Sequence, residues 1–187
     1  MMASIGVTRI SSPTSYVYFH CLSIHLLLLI LKSFQDAESS ADFLDNKESP
    51  IPEYIERDNH GTHAAGVIAS AKNHLCGVGI AYNAKIAGVR LFNDDVVPRS
   101  DQTATAFTFK NQKVDIYSCS FGTLDDGRSL VYPNYLIEQA MIEGVNDGRG
   151  TRGSIFVFGA GNGGTDGDNC SFDEYANRRV SVSVIPL

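Results

Sequence analysis

At 187 residues, 43% of them hydrophobic, the chain is long enough to bury one ordinary core. A formal charge of -6 argues against nucleic acid as a partner. Cys21, Cys76, Cys119 and Cys170 lie far apart with no Cys-x-x-Cys pair, which argues against a thiolate metal centre and leaves the redox compartment open.

From Tyr16 to Leu31 runs an apolar segment centred on Leu26-Leu27-Leu28-Leu29-Ile30-Leu31. It is short for a membrane span, which needs about 20 apolar residues, and it contains His20, Ser23 and His25. The length suits a signal-peptide core or an anchor. The other reading is an apolar leader foreign to the native protein, and residues 1–38 are set apart on either account. Asp36 to Asp58 is acidic, broken by Pro50 and Pro52, and expected as an exposed loop. Within it Asp42, Asp45, Asn46 and Glu48 could offer oxygen ligands to a hard cation or form a solvated acidic face.

Asn59-His60-Gly61-Thr62-His63-Ala64-Ala65-Gly66-Val67-Ile68-Ala69-Ser70 follows, the stretch on which the functional reading turns. Small residues at Ala64, Ala65, Gly66 and Ala69 suit a helix lying close against a sheet. His60 then stands in its first turn, where an imidazole can take and return a proton near neutral pH. A helix cap or surface histidine is the structural alternative. Zinc is a poor fit for His60 and His63, since the zinc-protease pattern needs a Glu after the first His and four-residue spacing.

Gly77-Val78-Gly79-Ile80-Ala81 predicts a turn, and residues 84–92 a buried strand. Ser100-Asp101 caps a predicted helix reaching about Asn111, residues 114–120 form a strand and Pro133 to Asp147 a helix. Further strands are expected at 154–159 and 179–185. Near-continuous apolar strands alternating with helices imply an α/β fold, a parallel sheet with helices on both faces. In such sheets sites collect at the carboxyl ends of strands. One end reads Ser120-Phe121-Gly122, then Asp125-Asp126-Gly127; another reads Gly159-Ala160-Gly161-Asn162-Gly163-Gly164, then Asp166, Asp168, Cys170 and Asp173. The glycines around Asn162 either free its carboxamide to face a cleft or mark a plain turn.

Taken together, His60-Gly61-Thr62, Cys76 to Ala84 with Gly88-Val89-Arg90, Ser118 to Gly122 with Asp125-Asp126-Gly127, and Gly153 to Val157 leading into Gly161-Asn162-Gly163-Gly164 resemble the subtilisin-like serine proteases. Within that superfamily they are most similar to the kexin and furin branch of proprotein convertases. The likeness covers roughly Asp42 to Ile185. It implies an incomplete subtilisin-like catalytic domain over residues 39–187, with His60 as general base and Asn162 as oxyanion donor. Loss of such a donor from a subtilisin costs on the order of 10²–10³ in rate. It further implies that Ser120, Phe121 and Gly122 line the strand on which substrate backbone pairs. Asp173 would be the acid at the base of an arginine pocket, with Tyr175 lining the same cleft and Asp125, Gly159, Ala160 and Gly161 contributing to it. The cofactor implied is calcium, behind the pocket on Asp125 and Asp168, and at a second site on Asn73 with carbonyls near Leu75 and Gly77. Two departures stand out: Phe121 replaces the usual Trp, and Thr62-His63-Ala64 replaces Thr-Arg-Cys. Cys76 and Cys170 match half-cystines whose family partners would fall beyond Leu187, which implies a secretory compartment (Golgi, membrane or secreted).

The family's triad also has an acid in an Asp-Asp-Gly or Asp-Ser-Gly turn ahead of the histidine, and a serine in Gly-Thr-Ser. Neither motif occurs at those places in the sequence, and the Asp125-Asp126-Gly127 turn comes after His60. The expectation is therefore a calcium-dependent serine endopeptidase cutting proproteins after basic residues, present as a truncated product or incomplete gene model with residues up to about Phe34 foreign to the family. By itself this chain should be inactive. The competing class is a non-catalytic fragment or pseudoprotease that binds peptides or a partner protease.

Overall fold

The computed structural model describes residues 5–9, 36–47, 49–50, 60–74, 77–93, 96–132 and 134–185, the first of these as backbone only. The apolar segment 16–31, with the signal, anchor and membrane readings placed on it, lies outside the described residues. Within them no helix is long and apolar enough to cross a membrane. The chain divides into two compact units, Met1–Val97 and Pro98–Leu187.

The first unit is built on three strands and one helix among the described residues. Strand β1 (Ile5–Arg9) runs antiparallel to β3 (Lys85–Arg90), with Ile5 opposite Val89 and Arg9 opposite Lys85. On the other edge β2 (Ala41–Asp42) runs parallel to β3, Asp42 opposite Arg90. The antiparallel β1 departs from the wholly parallel sheet expected; Ile5-Gly6-Val7-Thr8-Arg9 is too short to declare a pairing partner from its own pattern. Helix α1 (His60–Ala69) packs the small side chains of Ala65 and Ala69 against Ala84 and Ile86, with Ile68 and Ala81 at the margin. Its last carbonyls are satisfied by the returning chain, since the Ile80 and Ala81 N–H groups donate to the Val67 and Ile68 carbonyls at 3.2 and 2.7 Å.

Residues 36–43 were expected as an exposed loop and instead run along β3. The Asp36 N–H donates to the Ile86 carbonyl, the Gly88 N–H to Ser40 Oγ and the Phe43 N–H to the Arg90 carbonyl. Ser39, Ser40 and Asp42 are consequently buried.

The second unit is a parallel α/β layer. Strands β4 (Ile116–Cys119), β5 (Ile155–Gly159) and β6 (Ser181–Val184) lie side by side and parallel, with Cys119 opposite Phe158 and Gly159 opposite Val184. Helix α2 (Ser100–Thr108) packs against α3 (Tyr135–Thr151), which also covers β5. The core is aromatic: Tyr117 stacks on Phe156 at 4.8 Å, and Phe107 meets Phe156 edge-on at 5.5 Å.

Helix α2 stops short of Asn111. Phe109 turns extended and gives its carbonyl to the Tyr117 hydroxyl at 3.0 Å, and Lys110 adopts φ +53°. Helix α3 is regular to Asp147, as its periodicity predicts, and then breaks at Gly148, Arg149 and Gly150. There Arg149 is held by Asp115 at 2.8 Å and donates to the Gly153 carbonyl at 3.1 Å.

Candidate functional site

The first unit contributes the histidine. His60 is the first residue of α1, exposed, on a helix whose following turns are too small-sided to stand off from β3. His63 is also exposed, and no cluster of three or more His, Cys, Asp or Glu side chains able to hold a metal occurs among the described residues.

In the same unit Asn73 Nδ2 donates to the Gly77 carbonyl at 3.1 Å and to the Ala71 carbonyl at 2.9 Å. The structure thus brings Asn73 and Gly77 together, while Leu75 lies outside the described residues. Asp42 is buried beside Arg90. Its Oδ1 accepts the N–H groups of Leu44 and Asp45, both at 2.9 Å, and its Oδ2 pairs with the Arg90 guanidinium at 3.0 Å. With both oxygens occupied and the residue 3% exposed, Asp42 caps a turn and neutralises Arg90. Asp45 pairs with the same guanidinium at 2.5 Å, a contact that holds its carboxyl below the usual range. Glu48 lies outside the described residues.

The second unit gathers the rest at the carboxyl ends of β4 and β5, which parallel pairing places on one side of the layer. Ser120, Phe121 and Gly122 leave β4 there, the first two half-buried and Gly122 exposed. Gly159 ends β5, and the Ala160 N–H still joins the ladder by donating to the Val184 carbonyl at 3.0 Å. Gly161 then takes φ +94°, a left-handed turn that few side chains tolerate. That turn swings Asn162 onto the neighbouring loop. The Asn162 N–H donates to Asp125 Oδ2 at 2.9 Å, and its exposed carboxamide lies 3.5 Å from the same oxygen.

Asp168 closes on this junction. A Cβ built on Gly163 would lie 2.6 Å from Asp168 Cβ, 2.7 Å from the Asp125 carbonyl oxygen and 2.9 Å from Asp168 Oδ2, so only glycine lets these two segments pack this closely. Asp173 is clamped at the other side of the β4 loop. Its Oδ2 accepts the Thr123 N–H at 2.8 Å and the Thr123 hydroxyl at 3.1 Å; its Oδ1 accepts the Tyr175 and Ala176 N–H groups at 2.7 and 2.6 Å. A Cβ on Gly122 would fall 2.5 Å from Asp173 Oδ2, so only glycine lets the carboxylate sit this close to the chain.

Tyr175, expected to line the cleft, is 7% exposed, stacked on Phe158 at 5.4 Å and edge-on to Phe121 at 5.4 Å. Burial accordingly drives its phenol pKa upward. It is the floor beneath Phe121. Cys119 is buried and free, as expected for a small core residue, with its thiol pKa raised by burial; Cys170 is free and half-buried.

Two residues given no role from sequence complete the site: Thr123, which was not singled out, and Asp126, quoted within Asp125-Asp126-Gly127. Thr123 supplies two of the donors on Asp173. Asp126 forms the turn behind Asp125, its carboxylate taking the N–H groups of Arg128 and Ser129 and the Ser129 hydroxyl at 2.7–2.9 Å. The signal for Asp126 was present in Asp126-Gly127-x-Ser129, a side-chain-closed turn. Nothing local announces Thr123, whose partner is fifty residues away.

Comparison with known proteins identifies the family. The family model described as "Subtilase family" matches residues 14–185, beginning inside the segment read from sequence as a leader. "Kexin" of Saccharomyces cerevisiae is 46% identical over 149 residues, 79% of this chain and 18% of that protein. "Dibasic-processing endoprotease" of Yarrowia lipolytica is 42% identical over 154 residues, covering 82% and 16%, and human "Neuroendocrine convertase 2" is 42% identical over 161 residues, covering 82% and 24%. The chain therefore spans about a fifth of the length of such relatives. With a histidine at a helix mouth, an asparagine turned onto the end of a parallel strand and a family match over nearly its whole length, the chain belongs to the subtilase family and is similar to its kexins and proprotein convertases.

Proposed function

We propose that this chain is the part of a secretory-pathway serine endopeptidase that carries the general base and the pocket for a basic side chain, in an enzyme that processes proproteins by cutting after basic residues. The observation that carries the reading is the meeting of Asp125 and Asn162 at the carboxyl ends of β4 and β5, with Asp173 clamped to the same β4 loop through Thr123. In the assembled enzyme His60 would take the proton from a nucleophile and return it to the leaving amine. Asn162, its backbone anchored by Asp125, would present its carboxamide to the developing oxyanion. Asp173 and Asp125 would receive the guanidinium of the residue before the cut through charge-assisted hydrogen bonds. The peptide or proprotein partner then lies along Ser120 to Gly122.

By the family likeness, calcium would be held by Asp125 and Asp168, and at a second site by Asn73 with the Gly77 carbonyl, oxygen donors of the kind a hard cation takes. Calcium bound there would supply fixed charge that holds the loops. Because the 187 residues contain neither an Asp-Asp-Gly turn ahead of His60 nor a Gly-Thr-Ser segment, we expect the isolated chain to bind basic peptides without hydrolysing them.

Calorimetric titration of a dibasic peptide, with and without calcium, tests the reading. Asp173→Asn should weaken binding by roughly 10- to 100-fold, the worth of a charge-assisted hydrogen bond. Equal affinity for dibasic and neutral peptides, or no effect of that substitution, would refute the pocket. Hydrolysis of the peptide abolished by His60→Ala would refute the expected inactivity.

A further inference from the structure

We propose that the chain is itself a processing substrate, cut between Arg179 and Val180 by proteases that recognise paired basic residues. Arg178-Arg179 is the one place in the 187 residues where two basic residues stand side by side. Topology puts the pair in a turn segment immediately before β6, with Asn177 and Arg179 exposed. Exposed turns are where chains are nicked.

Binding in a protease cleft requires this turn to open, and the strand that follows it is short and at an edge. β6 has four residues and is the outermost strand of its layer among the described residues, while Val182 and Val184 remain 53% and 56% exposed. Opening breaks the bonds from the Ser181 N–H and hydroxyl to the Arg178 carbonyl, at 3.2 and 3.0 Å. It also frees Arg178 Nε, which is buried without a hydrogen-bond partner, so extracting that side chain restores hydration and sacrifices no Nε bond. In the cut itself, water adds across the Arg179–Val180 peptide bond, leaving a carboxylate on Arg179 and an amine on Val180.

The cut has a consequence for the pocket, and this part rests on the reading of Asp173 given above. The Ser181 and Ser183 hydroxyls of β6 both donate to the Ala176 carbonyl, at 3.2 and 2.6 Å, while the Ala176 N–H holds Asp173 Oδ1. Severing 179 from 180 leaves β6 attached to this loop by hydrogen bonds alone, so the Asp173 clamp loosens. A protease with dibasic specificity would thereby disable the pocket that confers the same specificity.

The test treats the intact 187-residue chain, in native buffer, with a dibasic-processing endoprotease, alongside a synthetic peptide spanning residues 175–184. Mass spectrometry should find one new amino terminus, at Val180. Arg178→Gln and Arg179→Gln should slow the cut on the order of 10²-fold, because a site built to pair a guanidinium rejects its neutral replacement. A charge-retaining Arg179→Lys chain should still be cut, which separates loss of recognition from loss of fold. An intact chain once the peptide is consumed, or cutting elsewhere that is unaffected by the Gln substitutions, would overturn the proposal. Calorimetry on the cut chain addresses the coupling: weaker binding of the dibasic peptide than by the uncut chain supports it, and undiminished binding overturns the coupling alone.

Discussion

Gly122 and Asp126 show how much of the site depends on single side chains. Adding a methyl group at Gly122 puts a carbon 2.5 Å from Asp173 Oδ2, and the carboxylate must leave the Thr123 donors. Gly122→Ala should therefore weaken dibasic-peptide binding about tenfold, roughly 1.4 kcal/mol, with little change in thermal stability. Unchanged affinity would show that the clamp does not set the pocket. Asp126 is held below the usual carboxylate range, chiefly by the Ser129 hydroxyl and then by the Ser129 and Arg128 N–H groups. Its value is lower folded than unfolded, so its stabilising effect is complete above the ordinary carboxylate pKa of about 4 and disappears as pH falls through the folded value. Asp126→Asn should thus melt below the parent chain at pH 7 and converge with it at low pH. A melting difference that persists unchanged at low pH would contradict this.

Among the elements, the parallel layer of the second unit was the most legible. Residues 114–120, 154–159 and 179–185 are rich enough in apolar residues and short enough to be read as strands, and each contains one. The pairings between distant segments were not legible. Phe158 meets Phe107, Phe121 and Tyr175 and is 1% exposed. Phe158→Ala should cost about 3–5 kcal/mol in urea unfolding with an unchanged slope, since it opens a cavity under the β4 loop. In the first unit, β2 is joined to β3 through Arg90 and Asp42, which are 48 positions apart. Arg90→Ala should cost about 3–5 kcal/mol by leaving a buried carboxylate unpaired, whereas replacing both residues with apolar ones of similar volume should restore most of that loss. Two equally destabilised variants would refute the pairing energetics. Because the acidic run around Asp42 has the composition of an exposed loop, only its buried partner distinguishes it from one.

At the scale of the whole molecule, added calcium provides the broadest test. If the oxygens of Asp125 and Asp168 hold the ion, calcium at a hundred times its dissociation constant should stabilise the chain by about 2.7 kcal/mol, and Asp168→Asn should remove most of that gain. Identical melting with calcium or with chelator would leave the site without support. The amino-acid order alone determined the α/β class, the strand and helix succession of the second unit and the family membership, because burial, periodicity and contiguous motifs are properties of neighbours along the chain. Tertiary structure alone decided that Asp42 belongs to Arg90, that Tyr175 is floor and not wall, that Thr123 holds Asp173, and that β1 enters its sheet antiparallel. Each of these is settled by a partner 17 to 84 residues away, and chain proximity carries no information about which distant donor will reach a given oxygen or which ring will cover another.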